Sequence, residues 1–193
     1  MNNIILASQS PRRKQLLEWA EVPFEIIVQG TDESFPTGMP IIEAPVYIAQ
    51  QKALAVRKYV QDAFHGIHAN EAILAADTVV VLNNTIIGKP KDRDDAITIL
   101  SALAGSHHQV ITGVVILHSG GEIAFADVTD VEFHPLTLDQ IKFYVDKYKP
   151  YDKAGAYAIQ EWIGVVGIKS IKGDFYNVMG LPISRVVQVL QNL

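Results

Sequence analysis

Residues 72–82 read AILAADTVVVL, an apolar run broken by a single carboxylate, Asp77. An apolar segment of this length, ending in β-branched valines and followed by turn residues, reads as a buried strand. Asn83, Asn84 and Thr85 then form a tight turn into a second short strand, IIG at 86–88. Upstream, the spacing of Ile48, Ala49, Ala53 and Val56 predicts a helix from about Pro45 to Val60. Before it come a short strand at Ile4–Ala7, a helix opening at Pro11, and a strand at Phe24–Val28. A loop rich in Gly, Pro, Asp and Ser follows, and it reads as a mobile segment.

Downstream, KDRDDAITILSALAG carries acidic residues in its first turn and stops at Gly105, the pattern of a helix. QVITGVVILHSGGEIAFADVTDVEF reads as two long strands joined around Ser119, Gly120 and Gly121. Thr137 and Gln140 have capping-box spacing for a helix ending near Tyr148. Late strands around Gly164–Ile171 and a helix from Ile183 complete the chain. Crossovers mixed with hairpins predict an α/β fold with a mixed sheet. No internal repeat or low-complexity linker is visible.

The 193 residues are 49% hydrophobic and 19% charged, a globular composition. There is no cysteine, which excludes disulfides, thiolate catalysis and zinc–thiolate sites. No basic segment leads into an apolar stretch at the start, and no apolar run reaches membrane-spanning length. The expectation is a cytoplasmic protein with no membrane partner. The net charge of −5 argues against nucleic acid as a partner. An anionic ligand must therefore find a local cluster of cations.

Such a cluster is in sight. Ser10 and Pro11 suit the N-cap and first position of a helix in SQSPRR, which places Arg12 and Arg13 in its first turn. Cations there face the positive end of the helix dipole, and an anion such as phosphate on the free N–H groups reverses the penalty. Without an anion, neither arginine is expected to stabilise the fold. Asp77 is a carboxylate within a buried strand, which costs several kcal/mol unless it is paired or metal-bound. It reads either as an acid satisfied by an arginine or backbone N–H groups, or as a metal ligand or general base at the floor of a cleft. Lys52 on the second helix, Lys89 between Gly88 and Pro90, and the loop acids Asp32 and Glu33 complete the candidate set.

Other signals are weaker. No G-x-G-x-x-G follows a strand, and GKP lacks the remainder of a P-loop. His65 and His68 have H-x-x-H spacing but flank Gly66 in a polar connection. His107 and His108 open a strand, so only one of them faces a given side. Tyr144, Tyr148, Tyr151 and Tyr157 read as packing.

Taken together, SQSPRR, Lys52–Ala53, AADTVV, GKP, GSHHQVITGV, YDKAGAYAIQ and NVMGLP resemble the Maf family of nucleoside triphosphate pyrophosphatases, in order and along nearly the whole chain. The resemblance implies a single domain over 1–193, with an elongated mixed sheet flanked by helices and two lobes around a central cleft, as in inosine triphosphatase. It implies cleavage between the α and β phosphates with a divalent metal, Mg2+ first and Mn2+ or Co2+ as alternatives. Carried over by motif, Ser8, Ser10, Arg12, Lys52 and Lys89 contact the substrate, and Glu33 and Asp77 hold the metal or activate water. The resemblance also implies a homodimer.

Arg13, Thr78 and Gln160 resemble the subgroup acting on dTTP and UTP. A glutamine amide offers one donor and one acceptor to the acceptor–donor–acceptor edge of uracil or thymine. Two departures from the family pattern stand near the base: Ala158 where Gly is usual, and Tyr148-Lys149-Pro150 where Gly-Glu-Pro is frequent. The alternatives are a 7-methyl-GTP or inosine-type specificity, or a nucleotide-binding regulator of septum formation.

Overall fold

A computed structural model describes residues 2–63, 68 and 71–193. The elements run β1 (Ile4–Leu6), α1 (Pro11–Trp19), β2 (Phe24–Ile26), α2 (Ala44–Ala63), β3 (Ala72–Leu82) and β4 (Thr85–Ile87). They continue with α3 (Arg93–Leu103), β5 (His107–His118), β6 (Gly121–Phe133) and α4 (Leu138–Tyr148). A short 3-10 turn (Ala154–Ala156) precedes α5 (Trp162–Gly167), β7 (Ile168–Lys172), α6 (Phe175–Met179) and α7 (Ile183–Gln191).

The seven strands form a mixed sheet in the order β2-β1-β3-β5-β6-β7, with β4 paired to β3. β1 lies parallel to both β2 and β3, whereas β3–β4 and β6–β7 are antiparallel. This is the mixed α/β sheet expected from the alternation of crossovers and hairpins.

The chain packs as two compact units. The first comprises residues 1–77, 112–127 and 180–193, and the second 78–111 and 128–179. In the first, Ala49, Ala53, Val56 and Val60 of α2 pack on Ile5, Ile73, Ala75, Val115 and Leu117 of the strands. Each buried valine, leucine or isoleucine of this set contributes about 1.5–3 kcal/mol relative to exposure, and each alanine less. The close seating of α2 depends on Gly113 in β5. A Cβ there would lie 2.2 Å from the Val46 nitrogen and 2.3 Å from the Pro45 carbonyl carbon.

In the second unit, Leu100 and Leu103 of α3, Ile141 and Val145 of α4, and Val131 and Phe133 of β6 share one core. The local signals read from the sequence hold here. Asp94 and Asp95 lie in the first turn of α3, and Thr137 and Gln140 form the reciprocal capping box of α4; Asp92 adds a cap to α3 by accepting from Asp95 N–H. Asn83 and Asn84 both adopt positive φ, 48° and 59°, as a two-residue hairpin turn demands.

Three local readings are corrected. Residues 164–167, expected to be strand, are the end of α5; only 168–172 are extended. The β-branched run is overridden by a turn at 158–161. From that turn Gly164 and Val165 donate backwards to the Glu161 carbonyl at 2.9 and 3.3 Å, closing a helical turn. Ser10 has extended N-cap geometry but makes no side-chain cap. Its N–H instead donates to Ser8 Oγ at 3.2 Å. The strand expected at Phe24–Val28 ends at Ile26. No helix among the described residues is long and apolar enough to cross a membrane. Of the H-x-x-H pair, His68 bonds Glu71 at 2.9 Å, and His65 lies outside the described residues.

Candidate active site

The first unit gathers three of the predicted charged residues into one contact. Side chains alternate along β3, so Asp77 shares the face of Ile73 and Ala75, the face that α2 covers. Lys52, midway along α2, is thereby set opposite Asp77. Its Nζ donates to Asp77 Oδ1 at 2.7 Å. The same ammonium lies 2.7 Å from Oε1 of Glu33, which reaches it from the loop after β2. The Lys52 and Asp77 side chains are only 16% and 15% exposed, whereas Glu33 is half exposed.

Burial therefore makes the Lys52–Asp77 contact the stronger of the two, since solvent screens the outer pair. The pairing also accounts for how β3 tolerates a carboxylate: one cation neutralises it where its own strand brings it under the helix. The loop's other acid, Asp32, takes a different role. Its carboxylate accepts from the Ser34 N–H at 2.9 Å and hydroxyl at 2.7 Å, and the Ser34 hydroxyl bond is the main cause holding it below the usual carboxylate range.

At the mouth of α1 the two arginines separate. Arg12 is partly exposed. Arg13 is buried at 9% exposure, its Nε donating to the Gly180 carbonyl at 2.7 Å and its Nη1 to Ser8 Oγ at 3.1 Å. Burial draws its pKa below the ordinary arginine value, opposed by the field of Asp77 and, more weakly, of Glu33. Arg13 thus ties the start of α1 to residue 180 and fixes Ser8. The expectation that neither arginine supports the fold fails for Arg13, because a buried guanidinium with two bonds is part of the scaffold. One signal marked it in the sequence: a helix-core position with Leu16 and Leu17.

The second unit holds Thr78, Lys89 and Gln160. Thr78 follows Asp77 on β3 and so points to the opposite face. Lys89 is exposed between exposed Gly88 and buried Pro90. The Gly88 carbonyl accepts from Gly155 N–H at 3.1 Å, which anchors this loop to the AGAYAIQ segment. Gln160 is exposed on a turn whose neighbours Tyr157, Ala158 and Ile159 are all buried. Ala158 is not among the residues with positive φ, so its backbone needs no glycine. Lys149 ends α4 in the left-handed region, φ 47°.

Sequence reasoning passed over the residues beneath Gln160. Tyr144, read as packing, is fully buried, yet its hydroxyl accepts from Ala158 N–H and donates to Glu161. Lys153 is buried beside Glu161, with Nζ–Oε1 3.6 Å. The charged pair within YDKAGAYAIQE was the available signal.

The sequence model for Maf-like proteins matches residues 3–193. The chain belongs to the Maf family. Among this Maf protein's relatives, one from Halalkalibacterium halodurans is 46% identical over 191 residues, covering 99% of this chain and 96% of its own. One from Cytophaga hutchinsonii is 45% identical over 191 residues, covering 99% and 84% respectively. A third, from Bacteroides thetaiotaomicron, is 44% identical over 191 residues, covering 98% and 95%. All three are named dTTP/UTP pyrophosphatase.

In fold, this Maf chain is similar to the Staphylococcus aureus Ham1 protein. The TM-score is 0.52 at 15% identity, over 99% of this chain and 98% of that one. That likeness speaks to architecture alone, and it agrees with the mixed α/β fold.

Proposed function

We propose that this Maf protein is a nucleoside triphosphate pyrophosphatase that hydrolyses dTTP and UTP to TMP or UMP plus pyrophosphate. The observation that carries the reading is the contact of Lys52 with both Asp77 and Glu33, in a chain whose relatives bear that enzyme's name. Two carboxylates beside a lysine, near a helix N-terminus with two arginines, supply both halves of phosphoanhydride chemistry. The cations receive a polyanion that the net charge of −5 would otherwise repel.

Two carboxylates suit Mg2+, which takes few protein ligands and completes its oxygen shell with water and substrate phosphates. Among the described residues no group of three or more His, Cys, Asp or Glu side chains could hold a metal. The donor set therefore fits a metal that arrives with its substrate. Glu33 and Asp77 would hold it, and when bound it lowers the pKa of a bound water and neutralises developing phosphate charge.

The chain's own residues then divide the work. Ser8, Ser10 and Arg12 at the start of α1, with Lys89, bind the triphosphate; Arg13 serves them from below by fixing Ser8. Asp77 accepts the proton of the attacking water. The water oxygen bonds to the α phosphorus, the bond to the α–β bridging oxygen breaks, and pyrophosphate leaves with the electron pair. Lys52, released from its carboxylates as phosphate enters, stabilises that leaving charge. Gln160 and Thr78 read the pyrimidine edge. We read the enzyme as a cytoplasmic homodimer; the family resemblance supports the homodimer.

The test is a panel of UTP, dTTP, CTP, GTP, ITP and 7-methyl-GTP with Mg2+, read as kcat/KM for pyrophosphate release. UTP and dTTP are expected to exceed the others by an order of magnitude or more, as for a site that hydrogen-bonds one base edge. A preference for 7-methyl-GTP or ITP would overturn the assignment, and binding without turnover would favour a regulator.

A further inference from the structure

Gln160 stands on a turn that is fastened unusually well for an exposed residue. The Glu161 N–H donates to the Ala158 carbonyl at 3.1 Å, so residues 158–161 form a hydrogen-bonded turn with Ile159 and Gln160 at its centre. Ile159 is buried, at 4% exposure, which leaves Gln160 as the side chain displayed. Both ends of the turn meet one buried hydroxyl. Ala158 N–H donates to Tyr144 Oη at 3.2 Å, and the same hydroxyl donates to Glu161 Oε2. The other carboxylate oxygen of Glu161 faces Lys153 Nζ at 3.6 Å, and Lys153 is held in turn by Asp152 at 2.7 Å. From beneath, Gly164 admits the Ile159 carbonyl so closely that a Cβ would lie 1.7 Å from its oxygen.

Such a network has a cost that packing alone does not require. Phenylalanine would fill the Tyr144 position without bringing a hydroxyl into a fully buried site, where it needs partners. A buried lysine likewise needs its acids. What the network secures is the position of two residues flanking Gln160. An amide reads one base edge against another only when its oxygen and nitrogen are held in place, because a freely rotating amide pairs with either pattern.

We propose that Tyr144, Glu161 and Lys153 are positioning residues for base selectivity: they clamp the 158–161 turn and so fix the Gln160 amide against the pyrimidine. This rests on the reading of Gln160 as the base-recognition residue. The clamp includes none of the residues assigned to the triphosphate, the metal or the attacking water, so its loss relaxes discrimination and leaves the chemistry in place.

The experiment measures kcat/KM for UTP and CTP at a temperature well below each variant's melting point. The variants are Tyr144→Phe, Glu161→Gln, Gln160→Ala and the double variant Tyr144→Phe/Gln160→Ala. Loss of folded enzyme lowers both substrates alike and cancels in the UTP:CTP ratio, so the ratio reports positioning alone. Tyr144→Phe is expected to lower the ratio about tenfold, the worth of one displaced polar contact, through UTP KM rather than kcat. Glu161→Gln, on a partly exposed residue, is expected to shift it the same way by a smaller factor, and it decides the matter if Tyr144→Phe does not fold. In the Gln160→Ala background, Tyr144→Phe is expected to change the ratio no further, since the two act as a unit. An unchanged ratio in both clamp variants, with Gln160→Ala still collapsing it, overturns the clamp and spares the reading of Gln160. An unchanged ratio in Gln160→Ala overturns that reading itself, and the clamp with it. Independent, additive losses in the double variant also overturn the clamp.

Discussion

In the proposed mechanism the chemistry concentrates at a single residue, Asp77. It is a carboxylate mostly withdrawn from water, matched to one ammonium at 2.7 Å and placed by strand alternation beneath α2. Asp77→Asn keeps the volume and removes the charge, so kcat is expected to fall by roughly two orders of magnitude or more. Far-ultraviolet circular dichroism should be unchanged on the same sample; turnover above about a third of wild type would make Asp77 a structural acid. The two arginines make a second prediction. Arg13→Ala removes two buried hydrogen bonds from a charged donor, to the Gly180 carbonyl and the Ser8 hydroxyl, a loss of about 1.5–3 kcal/mol each. Its unliganded melting temperature is expected to drop by several degrees, whereas Arg12→Ala should leave it near wild type while weakening every triphosphate alike. Equal melting temperatures would return Arg13 to the surface role that two adjacent arginines suggest. Sequence adjacency made Arg12 and Arg13 look like equals. Helical geometry separates them, since one step of about 100° turns position 13 inward to join Leu16 and Leu17.

Elements were legible where local chemistry decided them and illegible where tertiary contact did. The capping box of α4, the Asp92 cap of α3 and the Asn83–Asn84 turn are all written in adjacent residues. Residues 164–167 are not, because their helical turn depends on the fastened segment before it, which Tyr144 holds from another helix. At the start of β5, His107 and His108 show alternation at work: the first is exposed, the second buried at 3%. His108 Nε2 lies 2.7 Å from Tyr157 Oη, and its ring packs edge-on to Phe133 and Tyr157. Burial, with a smaller push from His107, lowers its pKa from 6.5 to about 4. The folded protein therefore keeps His108 neutral where the unfolded chain has already bound a proton. Its contribution to stability is whole above pH 6.5 and is lost as the pH falls toward 4. Wild type is expected to lose melting temperature steadily from pH 7 to pH 4, and His108→Phe to lose distinctly less over that interval. Parallel curves for the two proteins would show that another group governs acid stability.

For the whole molecule, fold class came from periodicity and function from motif order. Crossovers and a long hairpin required a mixed sheet, and seven short motifs in sequence order indicated the family to which the chain belongs. Overall charge gave only a boundary: at −5 the protein does not attract anions, so the proposed binding of a triphosphate calls for local cations. Long-range contacts were the part no local reading supplied. The bridge from Lys52 to Glu33 joins a helix to a loop, and the Tyr144 clamp joins α4 to residues 158–161. The proposed function requires Asp77, Glu33 and Lys52 to direct water to the α phosphorus, and the products of UTP hydrolysis in 18O-labelled water with Mg2+ decide whether they do. UMP is expected to carry the label, with unlabelled pyrophosphate and no UDP. UDP with free phosphate, or label in pyrophosphate, would contradict it.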